Sequence, residues 1–266
     1  MGLYITFPIT ILIEIALPVL LAYWVIRRYH TSWKLVGIGG VIFLAAQMLH
    51  IPILDGIGWL FTNNVLPTPT GIQLILTTAI LGGLATGLCE ETARLVGFRL
   101  LKAPAQNNAG AFSLGIGHGG VESIIIAGLP MLGTFISMLV MKNADPKDPT
   151  LDPTTLQQIG AMWNLAWYVP LASALERVVA MTIQMSLTFI VLQVFTRKSY
   201  WWFVAAIFWH ALVEGLLTGL AATNLSGVVI LAVEVGMGMV SAGILWYLLR
   251  HAQDPSEILA PKELPV

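Results

Sequence analysis

The chain has 266 residues, of which 57% are hydrophobic and only 10% are charged, and its net charge is -1. Soluble domains carry about 25% charged residues, so this composition excludes a water-soluble globular protein and predicts one that crosses a lipid bilayer repeatedly. The near-neutral charge offers no basic surface for a nucleic-acid partner, and the single cysteine, Cys89, excludes an intrachain disulfide.

Seven segments are long and apolar enough to cross the hydrocarbon core, which takes about 20 residues of helix. The predicted fold is therefore all-α, a polytopic transmembrane helical bundle of about seven spans. The spans are expected at 3–26, 35–60, 72–101, 109–141, 160–195, 200–222 and 226–250. Pro170 lies inside the fifth segment, which leaves open that residues 160–170 form a separate re-entrant or interfacial piece.

The segments predict one transmembrane domain over residues 1–251, followed by a polar tail at 252–266. The longest connector, residues 142–158, is rich in proline and aspartate and cannot be helical throughout. The other connectors are short.

The basic residues predict the orientation of the bundle. If the spans alternate in direction, most of the basic residues that flank them fall on one side of the membrane, and Lys142 and Lys147 fall on the other. The larger group comprises Arg27, Arg28, Lys34, Arg99, Lys102, Arg197, Lys198 and Arg250. Since cytoplasmic loops are enriched in lysine and arginine, we expect a multi-pass protein of the cell membrane with its N-terminus outside and its C-terminus in the cytoplasm.

Four of the predicted spans contain polar groups that are costly inside a membrane. A charged side chain at the bilayer centre costs about 2.5–3.5 kcal/mol on insertion scales, so such residues persist where they pair, line a cavity or take part in chemistry. These groups are Glu90, Glu91 and Arg94 in the third span, His118 and Glu122 in the fourth, Glu176, Arg177 and Gln184 in the fifth, and His210 and Glu214 in the sixth.

The depth of these groups predicts that they meet. Counted from the cytoplasmic ends of their helices at 1.5 Å per residue, Glu90, His118, Gln184 and His210 all lie about 14–18 Å deep. Both histidines also have a glutamate four residues further on, which places each pair on one helix face. We therefore expect a common site near the membrane midplane, in a cavity that water reaches from the cytosol.

Carboxylates beside imidazoles indicate hydrolysis. A buried glutamate can serve as a general base that activates water, and a second histidine or Gln184 can stabilise an oxyanion. The same side chains could instead bind zinc, for which histidines and carboxylates are good ligands. The zinc alternative takes His118, His210 and Glu91 as ligands, while hydrolysis without a metal stays open.

The order of these motifs resembles the YhfC-type intramembrane metalloproteases, which are similar to the larger group of CAAX prenyl endopeptidases, CPBP bacteriocin-processing proteases and PrsW. The resemblance covers about residues 80–220. It rests on Glu90-Glu91-x-x-Arg94, the glycine-flanked His118 with Glu122, Glu176-Arg177, and His210-x-x-x-Glu214. It implies an intramembrane protease in which Glu90 activates the water, Glu91 pairs with Arg94, and His118 and His210 complete the site.

Two residues depart from the pattern of that family. Glu214 stands where asparagine or aspartate is usual, and Gln184 stands where a histidine is expected. The leading prediction is a protease that acts on a membrane protein or peptide within the bilayer. A proton- or ion-coupled transporter is an alternative, because intramembrane glutamates and histidines also relay protons. A non-catalytic scaffold derived from a protease is a third possibility, which the two departures permit.

Other buried polar residues are expected to have structural roles. Gln47 and His50 lie three residues apart in the second span, which favours a structural pair. Glu14 and Glu234 have no partner nearby in sequence, so we expect each to pair with another helix.

Overall fold

A computed structural model describes residues 2–143 and 152–251 of the chain. Over these residues the protein is helical and contains no β-strand, and seven of its helical segments are long and apolar enough to cross a membrane, which confirms the predicted fold class. The helices are α1 (Leu3–Tyr29), α2 (Trp33–Thr62), α3 (Ile72–Leu101), α4 (Asn108–Glu122), α5 (Leu129–Val140), α6 (Pro153–Trp163), α7 (Val169–Thr196), α8 (Trp201–Ala221) and α9 (Gly227–Arg250).

The fourth span is a composite of α4, a π-helical segment at Ser123–Gly128, and α5. The predicted tail at 252–266 lies outside the described residues. So do residues 144–151 of the predicted connector at 142–158.

The fifth span begins later than its predicted range of 160–195. α6 ends at Trp163, and α7 begins only at Val169, with Pro170 in its first turn. Proline suits that position because the first turn leaves its backbone N–H groups without partners in any case. The 11 residues of α6 rise only about 16 Å, which is too short to cross the hydrocarbon core. Residues 160–168 thus lie outside the fifth span, in line with the break near Pro170 that the sequence left open.

Helix α7 runs through the middle of the bundle. In its most apolar stretch 72% of the residues are buried, compared with 17–28% in the other six spans. Leu187, Phe189 and Val191 are completely buried, whereas the outer helices carry large exposed apolar side chains such as Met48 and Leu100, as expected for surfaces that face lipid. The central position of α7 places its polar residues inside the protein.

Glycines allow two pairs of helices to approach at backbone distance. A Cβ atom at Gly83 of α3 would lie 2.3 Å from the carbonyl oxygen of Ala211 in α8. A Cβ atom at Gly117 of α4 would lie 1.9 Å from the carbonyl oxygen of Val36 in α2. Small residues permit this approach in membrane helices, and it brings the polar groups of α8 and α4 close to α3 and α2.

The helix ends that carry the basic residues meet at one end of the bundle, called here the basic end. Arg99 at the end of α3 donates a hydrogen bond to Tyr200, just before α8. Ser113 near the start of α4 bonds to Thr31, between α1 and α2, with an oxygen–oxygen distance of 2.9 Å. The helices therefore alternate as the charge pattern requires, and the assignment of this end to the cytoplasm stays a prediction.

Candidate active site

Glu90 lies at the centre of a polar cluster inside the bundle. Its Oε2 atom lies 2.9 Å from Nε2 of His118 and 3.8 Å from Nε2 of His210. Its Oε1 atom accepts a hydrogen bond of 2.9 Å from the side-chain amide of Gln47. The Glu90 residue is only 3% exposed. Helices α2, α4 and α8 each bring one of these polar groups to the carboxylate of Glu90, and the expected meeting of Glu90 with both histidines is observed.

Glu91 makes a second, separate set of contacts. Its Oε1 atom accepts a hydrogen bond from Arg94 and lies 2.7 Å from Nδ1 of His210. All three side chains are at most 1% exposed. A carboxylate on one ring nitrogen fixes the orientation of an imidazole. Glu91 thus holds His210 with its other nitrogen, Nε2, directed toward Glu90.

Gln184 joins the two sets of contacts. Its side-chain oxygen accepts a hydrogen bond of 2.6 Å from Arg94. Its amide nitrogen donates to Glu122 at 2.7 Å and to Glu90 at 3.3 Å. Both ends of the amide are therefore occupied. The glutamine at this position, where a histidine was expected, acts as a structural link between a guanidinium and two carboxylates.

Glu122 extends the cluster toward one wall of the bundle. Its Oε1 atom lies 3.7 Å from Nη1 of Arg177, and Nη2 of the same guanidinium donates a hydrogen bond to Glu176. Glu214, four residues after His210, makes no hydrogen bond or ion pair among the residues that the structure describes. The structure therefore brings nine of the ten predicted site residues into one connected set of contacts, and Glu214 lies beside it.

Gln47 and His50 belong to the site, although the sequence indicated only a structural pair. Nδ1 of His50 lies 3.2 Å from the side-chain oxygen of Gln47, whose amide donates to Glu90. Nε2 of His50 lies 3.1 Å from the hydroxyl of Thr86. This chain of contacts fixes the carboxylate of Glu90 from the side of α2. The spacing of three residues between Gln47 and His50 was the only signal for it.

The group of donor atoms best placed for a metal ion differs from the predicted ligand set. One donor atom each from Glu90, His118 and Glu122 lie within 4.8 Å of one another. The predicted set of His118, His210 and Glu91 shares only His118 with this group, because Glu91 is occupied by Arg94 and His210. Two carboxylates and an imidazole are a donor set that zinc accepts. The residues present therefore fit a divalent metal ion.

A cavity of about 820 Å³ adjoins the cluster and is lined mainly by residues of α7, α8 and α9. We call it the α7–α9 cavity. Gln184 and His210 line its inner end, and Tyr168 and Gly227 line its other end. Tyr168 precedes α7 and Gly227 begins α9, so the cavity extends away from the basic end. The sequence led us to expect that water reaches the site from the basic end. This cavity does not provide that route, because its described lining leads toward the opposite end of the bundle.

These features define a class of protein: a multi-pass helical membrane protein with a buried carboxylate–imidazole centre, suited to hold a metal ion, beside a cavity. A model of the YhfC intramembrane metalloprotease family matches residues 13–235, and the chain belongs to that family. The match is longer than the predicted region of 80–220 and includes the second span and most of the first.

One curated relative is the uncharacterized membrane protein YhfC of Bacillus subtilis (strain 168). It is 29% identical over 216 residues, which cover 75% of this chain and 78% of the relative. No solved structure matches the chain. The predicted family is thus confirmed, and the wider relationship to the CAAX, CPBP and PrsW proteases stays a prediction.

Proposed function

We propose that this protein is an intramembrane protease that hydrolyses a peptide bond of a membrane protein or peptide. The observation that carries the proposal is the buried carboxylate of Glu90, which lies 2.9 Å from His118 and faces His210 at 3.8 Å. The adjoining cavity of about 820 Å³ lies within the range of about 300–1,000 Å³ that is typical of ligand sites. Membership of a metalloprotease family supports the same reaction class.

In this proposal Glu90 transfers the proton. Its carboxylate takes a proton from a water molecule as the water oxygen bonds to the carbonyl carbon of the substrate. The carbon–nitrogen bond then breaks, and Glu90 returns the proton to the leaving nitrogen. Gln47 and His118 hold the carboxylate in place during both steps.

His210 is the group placed to stabilise the negative oxygen of the intermediate. Its Nδ1 atom is held by Glu91, so Nε2 is directed at the region beside Glu90. A preorganised donor in a dry site stabilises a developing oxyanion strongly; loss of one such donor typically costs about 10²–10³-fold in rate.

Glu90, His118 and Glu122 are the residues that would hold a metal ion. In that version of the proposal Glu90 would be a ligand, and the role of free base described above applies to hydrolysis without a metal. When bound, a divalent ion such as zinc supplies Lewis-acid polarisation of a carbonyl and a water molecule of lowered pKa. Gln184 and Arg177 contact Glu122 and would orient it in the same way that outer contacts orient metal-binding carboxylates elsewhere.

The test is a comparison of membrane proteomes from cells that produce the wild-type protein or the Glu90→Gln variant. Glutamine keeps the shape of the side chain but cannot take a proton. We expect uncleaved membrane precursors to accumulate only with Glu90→Gln. The matched control is Cys89→Ala, which changes the neighbouring buried residue on the same helix and should leave processing intact. Normal processing in Glu90→Gln, Glu91→Gln, His118→Ala and His210→Ala alike would refute the proposal.

A further inference from the structure

We infer that the α7–α9 cavity binds a positively charged side chain of the substrate, a lysine or arginine close to the bond that is cut. This inference rests on the proposed protease function and specifies the class of substrate. It follows from the charge, the burial and the position of the groups that line the cavity.

The lining of the cavity is rich in carboxyl groups. Four of them, those of Glu122, Glu176, Glu214 and Glu234, line it beside a single guanidinium, that of Arg177. Arg177 hydrogen-bonds to Glu176 and lies close to Glu122. Glu214 and Glu234 make no hydrogen bond or ion pair with any described residue. Two carboxylates in the wall are thus available to a ligand.

Glu234 is the more informative of the two. It is only 6% exposed, so it is more than nine-tenths buried, and it lines the cavity. A carboxylate within a membrane helix is costly unless it meets a partner. The sequence led us to expect a partner on another helix, and the described residues provide none. A cationic group entering the cavity would supply that partner through a charge-assisted hydrogen bond.

The arrangement suits an organic cation better than a metal ion. Metal ions in proteins take several ligand atoms at about 2.0–2.6 Å. Among the described residues, the carboxylates that form such a group are Glu90 and Glu122, with His118, and neither Glu214 nor Glu234 belongs to it. A lysine or arginine needs only one or two acceptors for its head and an apolar surface for its stem. Leu217 and Leu231 provide apolar surface in the same cavity.

The helix register places this charge close to the reacting bond. Measured along the helices from the basic end, Glu90 lies about 16 Å deep, Glu214 about 20 Å and Glu234 about 24 Å. An extended chain rises about 3.3 Å per residue, so a difference of about 4–8 Å corresponds to about one to three residues. The cationic residue should therefore lie one to three positions from the cut, on the side away from the basic end.

The test measures binding, so it does not require cleavage. The probes are two 24-residue leucine–alanine peptides, acetylated and amidated, that differ at one central position: one has lysine and the other norleucine. They are titrated against the Glu90→Gln protein in lipid nanodiscs. Close charge pairs across an interface have measured coupling energies of which the smallest correspond to about a tenfold change in affinity. We therefore expect the lysine peptide to bind about tenfold more tightly than the norleucine peptide.

Removal of the carboxylates should abolish the preference. In Glu214→Gln/Glu234→Gln the lysine peptide should bind only as well as the norleucine peptide. Asp55→Asn, which removes an exposed carboxylate of α2 outside the cavity, should keep the full preference. Equal binding of the norleucine peptide to every variant verifies that each is folded. In Glu234→Lys, a peptide with glutamate at the central position should become the preferred ligand.

Equal affinity of the unchanged cavity for lysine and norleucine would overturn the inference, and so would an undiminished lysine preference in the double variant. Either outcome, combined with substrate cleavage by the wild-type protein, would leave the proposed protease function standing. A lysine preference without any Glu90-dependent cleavage would refute the protease instead. The two claims can thus fail separately.

Discussion

The replacement of Glu91 by glutamine is expected to destabilise the protein severely. Arg94 is 1% exposed, and Glu91 is the only carboxylate to which it is hydrogen-bonded among the described residues; its remaining contact is the neutral amide of Gln184. The loss of one partner of a buried ion pair leaves an uncompensated charge, and this costs about 3–5 kcal/mol. We therefore expect Glu91→Gln to lower the free energy of unfolding by about 3–5 kcal/mol.

A double-mutant cycle separates this electrostatic cost from a simple loss of packing. Arg94→Gln alone leaves the carboxylate of Glu91 without its guanidinium and should also destabilise. In Glu91→Gln/Arg94→Gln both charges are absent, so the loss should be smaller than the sum of the single losses by about 2–3 kcal/mol. The assay is equilibrium unfolding in mixed micelles of rising denaturing-detergent fraction, followed by tryptophan fluorescence. Additive losses would refute the account of the pair.

The remaining predictions concern packing, the metal ion and the support of Glu90. Gly83→Ala should lower the free energy of unfolding by about 1–3 kcal/mol in the same assay, because the new Cβ would lie 2.3 Å from the backbone of α8. The control is Gly37→Ala, which has open space around it and should be neutral. Glu122→Gln should lower the zinc content of the purified protein, measured by elemental analysis, and the control Glu234→Gln should not. If Glu122→Gln leaves the zinc content unchanged, Glu122 is not a ligand. Gln47→Leu should reduce cleavage about 10–100-fold without loss of folded protein. A loss of this size is usual when an outer contact to a catalytic or metal-binding group is removed. Full activity would show that Gln47 is not needed.

Much of the fold follows directly from hydropathy. Six of the seven spans begin and end within about three residues of their predicted limits, because a membrane helix must satisfy its backbone internally and its apolar run is therefore easy to delimit. The fifth span is the exception, since the apolar side chains of α6 continue into those of α7. The break between Trp163 and Val169 depends on local turns, and Pro170 was the one residue that indicated it.

The meeting of Glu90 with both histidines could be anticipated from their depth, but the partners of the two glutamates could not. Adjacent residues on a helix point about 100° apart. Whether Glu90 or Glu91 faces His118 therefore depends on the rotation of α3 about its axis. That rotation is fixed by the backbone contact of Gly83 with α8, which composition and spacing do not describe.

The two isolated glutamates show the same limit. Glu14 was expected to pair with another helix, and its carboxylate accepts a hydrogen bond of 2.8 Å from Ser173 of α7. The same expectation for Glu234 is wrong for the described residues, because its surroundings form the wall of the α7–α9 cavity. The sequence identifies both as unusual residues, and only their positions in three dimensions distinguish a structural bond from an open binding surface.

The π-helical segment at Ser123–Gly128 implies that this protein tolerates changes in length unevenly along the chain. A π-helical turn contains an extra residue, so one deletion there can restore a regular helix and leave α4 and α5 continuous. One deletion in the middle of α3 would rotate half of that helix by about 100° and take Glu90 away from His118. Homologous chains of slightly different length are therefore expected to gain or lose a residue just after Glu122, and to keep α3 free of insertions.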